Sequence, residues 1–349
     1  MNIAKTGRAG PAWTLVLLAP LIAEVLPGAT RISSLFVLPI EMAIWGGGAL
    51  LIRAAVRHWK LGWLNMLLMG CALSIAEEFL VQQTSIAPLV IQIVKGEPYA
   101  RAFGINYLYL LWALFYEAVL VVMVPVMLSE LIFRSRREDP WLGRRSAIMV
   151  GVIFLLACIP AWYSWTQIAR VKIFHAAPYS PPVAYIVAAF LAIALLLFAA
   201  IGPKRRALIV ASKPLAPLYP WLLGIGGGIV ATIWYCLVLL AFRLKPDFPA
   251  GIAMTAGIII VLTTLYLLPR FSAHAEWSDR HRMGLVFGTI VGAMGLSTVA
   301  FFYGTLPIDL YGKLILDLIA TILMIWLAIR VCPDQRASTR SVDPETNQT

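Results

Sequence analysis

Charge is scarce in this chain. Only 13% of its 349 residues are Asp, Glu, Lys or Arg, where a soluble domain carries about 25%. That deficit excludes an ordinary water-soluble globular protein. Cysteine and histidine are also scarce, four of each. Cys71, Cys158, Cys236 and Cys332 are scattered and form no CxxC pair, so no disulfide framework or zinc knuckle is expected. His58, His175, His274 and His281 give no set suited to zinc and no Ser-His or Cys-His pairing for nucleophilic hydrolysis. No metal site and no cofactor is expected. The G-x-G-G-G run from Gly224 to Gly228 lies inside an apolar stretch, with no strand before it and no lysine after it, so it is no phosphate loop. The polar–apolar alternation of a barrel strand is missing as well.

Long apolar runs are abundant instead. The chain is 61% hydrophobic with mean hydropathy +0.84, and several runs reach the roughly 20 residues that span a bilayer as a helix. The fold class expected is all-α, a polytopic membrane bundle of about ten helices. The spans fall at about 12–27, 34–53, 61–85, 105–132, 146–167, 182–202, 217–241, 249–269, 283–303 and 306–330. They form one transmembrane domain over residues 1–331, followed by a polar tail at 332–349 expected to be disordered. Lys5 and Arg8 before Leu15–Leu26 have the look of a secretory signal. Glu24 within that run and the lack of an A-x-A site point to a retained helix.

The basic residues set the orientation. With the N-terminus inside, twenty of the 28 lysines and arginines fall in cytoplasmic segments and seven outside. Lys313 lies within a span. The positive-inside rule then gives both termini on the cytoplasmic side. This topology also accounts for the net charge of +11, and no nucleic acid need be invoked.

Seven of the 17 acidic residues fall inside the spans, away from the cytoplasmic ends: Glu24, Glu41, Glu77, Glu78, Glu117, Asp309 and Asp317. A carboxylate at the bilayer centre costs about 2.5–3.5 kcal/mol on insertion scales. The topology puts all seven between the midplane and the outer surface. Ser74, Glu78, Gln82 and Ser85 follow helical steps down one face of the third span, with Glu77 beside them. Asp309, Lys313, Asp317 and Thr321 recur every fourth residue in the tenth, so Lys313 is placed to pair with either aspartate. Tyr109, Trp112 and Tyr116 form an aromatic stripe that adjoins Glu117, and Glu41, Trp45 and Gly48 share a face. Other features concern packing. Gly284, Gly288 and Gly292 are spaced four apart, as are Gly224, Gly228 and Thr232, and small residues at that spacing let membrane helices approach closely.

Two resemblances attach to Glu77 and Glu78. The run E-E-F-L-V-Q-Q-T-S, preceded by G-G-G-A-L-L-I-R-A-A-V-R, resembles a signature E-E-x-L-V-x-Q-[ST] of uncharacterised bacterial polytopic membrane proteins. It covers residues 15 to 90 and implies a bacterial inner membrane location without an activity. The same two glutamates also resemble the E-E-x-x-x-R motif of CAAX-protease and bacteriocin-processing intramembrane proteases, where they would activate water. Gln82 stands at the arginine position, and no F-x-x-x-H motif follows.

These readings converge on an integral inner-membrane protein of the transporter or permease kind. The expected site is a polar cavity in the outer half of the membrane, built from Glu78, Glu77, Gln82, Ser74, Glu41, Glu117, Asp309, Lys313 and Asp317. Its partners would be the lipid bilayer and a proton, a cation or a small polar solute. The alternatives are a glutamate-dependent intramembrane hydrolase and a non-catalytic membrane subunit that holds a partner.

Overall fold

Proline and capping side chains mark where the helices begin. In the computed structural model, which describes residues 9–88, 100–202, 213–242, 248–302 and 305–331, ten helices follow one another. They are α1 (Ala9–Val25), α2 (Ile32–His58), α3 (Trp63–Val81), α4 (Tyr107–Ile132), α5 (Arg144–Ile173), α6 (Val183–Ile201), α7 (Pro220–Phe242), α8 (Ala250–Ser272), α9 (Asp279–Phe301) and α10 (Pro307–Val331). Pro220 and Pro307 are the first residues of their helices, and Pro182 and Pro249 immediately precede theirs. The N–H that proline lacks is unbonded at a helix start in any case. Asn106 caps α4 by accepting from the Tyr109 N–H at 2.9 Å, which satisfies one of the orphan donors of the first turn. Before α4, Arg101–Ala102 pairs antiparallel with Ile105–Asn106 around Gly104, whose φ is +75°.

Among the described residues, nine helices, α2 to α10, are long and apolar enough to cross a membrane, and α1 is shorter. Four ends differ from expectation by four residues or more. The second span runs on to His58, not 53, and the ninth begins at Asp279, not 283. The third span stops at Val81, not 85, and the fifth runs on to Ile173, not 167. The tail at 332–349 lies outside the described residues.

The distribution of apolar side chains is that of a protein in lipid. α3 is central, with 78% of its apolar stretch buried, whereas that of α5 has none buried. α5, α6, α8 and α10 turn Leu155, Phe190, Leu262 and Ile322 outward. Apolar faces of this extent would not persist in water. The chain is a multi-pass α-helical membrane protein. α2 and α4 pack against α3, α1 lies against α2 and α4, α6 lies along α3, and α7 joins α4 to α9.

The two small-residue stripes pack on each other. A Cβ on Gly224 would lie 3.1 Å from the Gly284 carbonyl oxygen, and one on Gly228 would lie 3.1 Å from that of Gly288. Thr232 completes the contact by donating to the Gly292 carbonyl at 3.3 Å. This close backbone approach replaces the hydrophobic drive that lipid cannot supply. The stripes also floor a groove of about 820 Å³ between α7 and α9, lined by Ile225, Ile229, Phe287 and Val291 among others.

Five helices contain wide turns with i→i+5 bonding: Leu21–Val25, Met42–Gly46, Glu77–Val81, Glu117–Met123 and Ser164–Ile173. Such turns insert one extra residue and are frequent at functional positions. In α1 the turn follows Pro20, which has no N–H for the Val16 carbonyl. Gly46 of α2 sits directly against that carbonyl, where a side chain would collide.

Candidate functional site

Four of the wide turns carry or adjoin a membrane glutamate. Glu77 and Glu117 open theirs, Glu24 lies within the turn of α1, and Glu41 immediately precedes the turn of α2. Helices α1 to α4 thus bring five glutamates into one neighbourhood. Glu41, Glu77, Glu78 and Glu117 are buried, and Glu24 is half-buried. Glu24 lies close to Glu41 and Glu77, and Glu117 lies close to Glu77, Glu78 and Glu24.

Each carboxyl has a distinct set of partners. Glu77 Oε2 accepts from the Trp45 indole Nε1 at 2.8 Å. Glu78 Oε2 accepts from the Ser85 N–H at 2.9 Å and from the Ser85 hydroxyl at 2.6 Å. Glu41 Oε1 accepts from the Thr30 hydroxyl. The Tyr116 hydroxyl donates to the Ala23 carbonyl and lies 3.4 Å from Glu24 Oε1. Among the described residues, no lysine, arginine or histidine forms an ion pair with any of the five.

Aromatic rings close the neighbourhood. Trp112 stacks on Tyr116 with centroids 4.4 Å apart and planes at 21°, and Tyr235 of α7 meets both rings edge-on. Trp234 anchors this wall by donating from Nε1 to the Trp112 carbonyl at 3.1 Å. Several buried polar atoms here have no partner: Glu41 Oε2, Glu117 Oε2, Ser74 Oγ and Trp112 Nε1. Orphans of this kind are uncommon in native interiors. No three His, Cys, Asp or Glu side chains among the described residues are arranged to hold a metal ion.

The polar stripe of the third span is built differently from a helical face. The helix ends at Val81, and Gln82 is half-buried with its N–H bonded to the Glu77 carbonyl at 2.8 Å. Gln83 then adopts a left-handed φ of 61°, and the chain folds back so that Ser85 reaches Glu78. The returning segment is held by arginines. Arg101 donates to the carbonyls of Ile86 and Ala87 at 3.1 and 2.7 Å, and Arg170 donates to that of Pro88 at 2.6 Å.

The α10 residues make their bonds elsewhere. Asp309 accepts from the Ser33 N–H at 2.9 Å and from its hydroxyl at 3.1 Å. Lys313 pairs with Asp317, and Thr298 of α9 donates to Asp317 at 2.6 Å. Asp317 and Thr298 border a cavity of about 300 Å³ between α9 and α10. This cavity and the larger α7–α9 groove are both lined by residues outside the glutamate neighbourhood.

A second charged centre was not singled out in the sequence. Arg53 is fully buried and bonds Glu130 at 3.0 Å, the Arg137 carbonyl at 2.7 Å and the Asp139 carbonyl at 3.3 Å. Its guanidinium lies 3.2 Å from the centroid of Trp141. Arg57 grips both oxygens of Glu130 at 2.7 Å. The signal was present as the pair Arg53 and Arg57, four apart, at the end of α2, with Glu130 near the end of α4. Comparisons of the chain with family models, with curated proteins and with solved structures find no match.

Proposed function

We propose that this chain is a transporter or permease-like protein of the bacterial inner membrane, with both termini cytoplasmic. The glutamates of α1 to α4 form its coupling or binding site, which takes up a proton, a cation or a small polar solute. The observation that carries this reading is the convergence of Glu24, Glu41, Glu77, Glu78 and Glu117 without a cationic partner among the described residues. Structural carboxylates inside a membrane are normally paired, as Asp317 is with Lys313 and Glu130 with Arg53. The five glutamates are short of positive charge, which a ligand would bring.

A hydrolytic role for Glu77 and Glu78 would need both carboxyls to address one water. They are engaged with separate partners, Trp45 and Ser85, so the geometry favours transport over hydrolysis.

The test is flux in proteoliposomes under imposed gradients of protons, Na⁺ and K⁺, followed with trapped indicators. Wild-type protein should move at least one of these ions, and Glu77→Gln at equal abundance should reduce that flux at least tenfold. Absence of any flux, or equal flux in the variant, would sink the reading.

A further inference from the structure

We infer that residues 26–33, the connection from α1 to α2, are a strap that closes the glutamate site on the outer side, latched by Ser33 to Asp309 of α10. The inference rests on the transport reading and names how access to that site is regulated. Glu41, Glu77, Glu78 and Glu117 are buried, and the two cavities described above lie apart from them. A ligand that reaches these carboxyls has to displace part of the chain. In the proposed orientation α1 ends and α2 begins at the outer face, so their connection is placed where a ligand from outside arrives.

One edge of the strap is bonded to the site. The Thr30 N–H donates to the Glu24 carbonyl at 3.0 Å, and the buried Thr30 hydroxyl donates to Glu41 Oε1. Glu41 Oε2 has no partner among the described residues, so the strap and an incoming ligand meet on one carboxyl. That shared carboxyl couples the position of the strap to occupancy of the site.

The other edge lies on α9 and α10. Asp309, buried in the first turn of α10, accepts from the Ser33 N–H at 2.9 Å and from its hydroxyl at 3.1 Å. Ile32 packs against Gly312, where a side chain would collide, and the Phe301 ring packs against Gly28 in the same way. Ser33 is exposed, so the latch can exchange its bonds for water without breaking a helix. Gly28 holds a φ of +79°. Glycine has the backbone freedom that a hinge at this end of the strap requires.

The experiment measures access to the site with the latch made covalent. Full-length protein carrying Ser33→Cys, Asp309→Cys and the reporter Ser74→Cys is compared in detergent after oxidation with copper phenanthroline and after reduction, with the reductant removed. Ser74 is fully buried, one helical turn before Glu77 and Glu78. A cationic methanethiosulfonate labels residue 74, and peptide mass spectrometry reads the rate. Labelling should be at least tenfold slower in the oxidised protein, where a disulfide holds the strap down. No crosslink between residues 33 and 309, or equal labelling of the two forms, overturns the strap. If the triple variant does not fold, hydrogen exchange of the Thr30 N–H in Asp309→Ala takes its place. Exchange should quicken at least tenfold over wild type, and an unchanged rate overturns the strap. Neither readout needs flux. Latch-dependent labelling in a protein that moves no ion would leave the strap standing and sink the transport reading. Glu77-dependent flux with equal labelling of the two forms would do the reverse.

Discussion

Gly70 of α3 lies against the backbone of Ala118 in α4, so closely that a Cβ on Gly70 would sit 2.7 Å from the Ala118 Cα. Ala118 immediately follows Glu117, and Gly70 stands two turns before Glu77. This contact sets the spacing between the two helices that carry Glu77, Glu78 and Glu117.

Gly70→Ala should therefore force α3 and α4 apart. Overpacking of this kind costs about 1–3 kcal/mol, and the obstruction is backbone, which cannot rotate away. Thermal unfolding in detergent should show the loss. Gly47→Ala is the control, because its Cβ would meet nothing closer than 3.8 Å. Equal melting of the two variants would contradict the assigned contact.

Glu130 bonds two arginines at once, one of them fully buried. Glu130→Ala leaves Arg53 charged and uncompensated, and breaking a buried pair in this way costs about 3–5 kcal/mol. Glu138, 73% exposed, also contacts Arg57, yet an exposed pair is worth about 0–1 kcal/mol. Unfolding of the two variants should separate accordingly, and similar losses would mean that the buried centre is not structural.

Ser85 supplies two of the bonds that hold the Glu78 carboxyl. Ser85→Ala removes the hydroxyl and keeps the N–H, so the expected loss is about 1–3 kcal/mol, because the acceptor is a buried carboxyl. Opening should be local. The Asn106 N–H, bonded to the Ser85 carbonyl at 2.9 Å, should exchange hydrogen faster. Thr84→Val deletes a buried hydroxyl that already has no partner and should be neutral or stabilising. The reverse order would show that Glu78 does not hold this turn.

The α7–α9 contact gives a test within one sequence run. Gly226 has nothing within 4 Å of its would-be Cβ. Gly226→Ala should be tolerated, with a gain of up to about 1 kcal/mol from helix propensity. Gly288 lies directly on the Gly224 backbone, and Gly288→Ala should lower the melting temperature. Equal behaviour would mean that the stripes are not in contact.

Much of this architecture was legible because lipid leaves few solutions. Apolar run length placed the helices from α2 to α10 within a few residues at most ends. Periodicity grouped Gly284 with Gly288 and Gly292. The wide turns were not legible, since i→i+5 bonding leaves no compositional mark. That is why Ser74, Glu78, Gln82 and Ser85 read as one helical stripe although the helix ends at Val81. Periodicity also could not tell that Lys313 would turn to Asp317, or that Asp309 would turn to Ser33. Those choices depend on Thr298 of α9 and on Ser33 in the first turn of α2, neither of which the tenth span's own periodicity contains. The Arg53–Glu130 centre was within reach. By the expected topology α2 and α4 run in the same direction, so their last turns meet at one membrane face.

The wide turns have a mechanical consequence. Each extra residue offsets the two halves of its helix by about 100°. A helix with such a turn therefore presents side chains before and after it on faces that an unbroken α-helix would not align. Here α1, α2, α3 and α4 each carry one near the glutamates. The four helices thus depart from α-helical bonding beside the glutamates, where their negative charge is gathered.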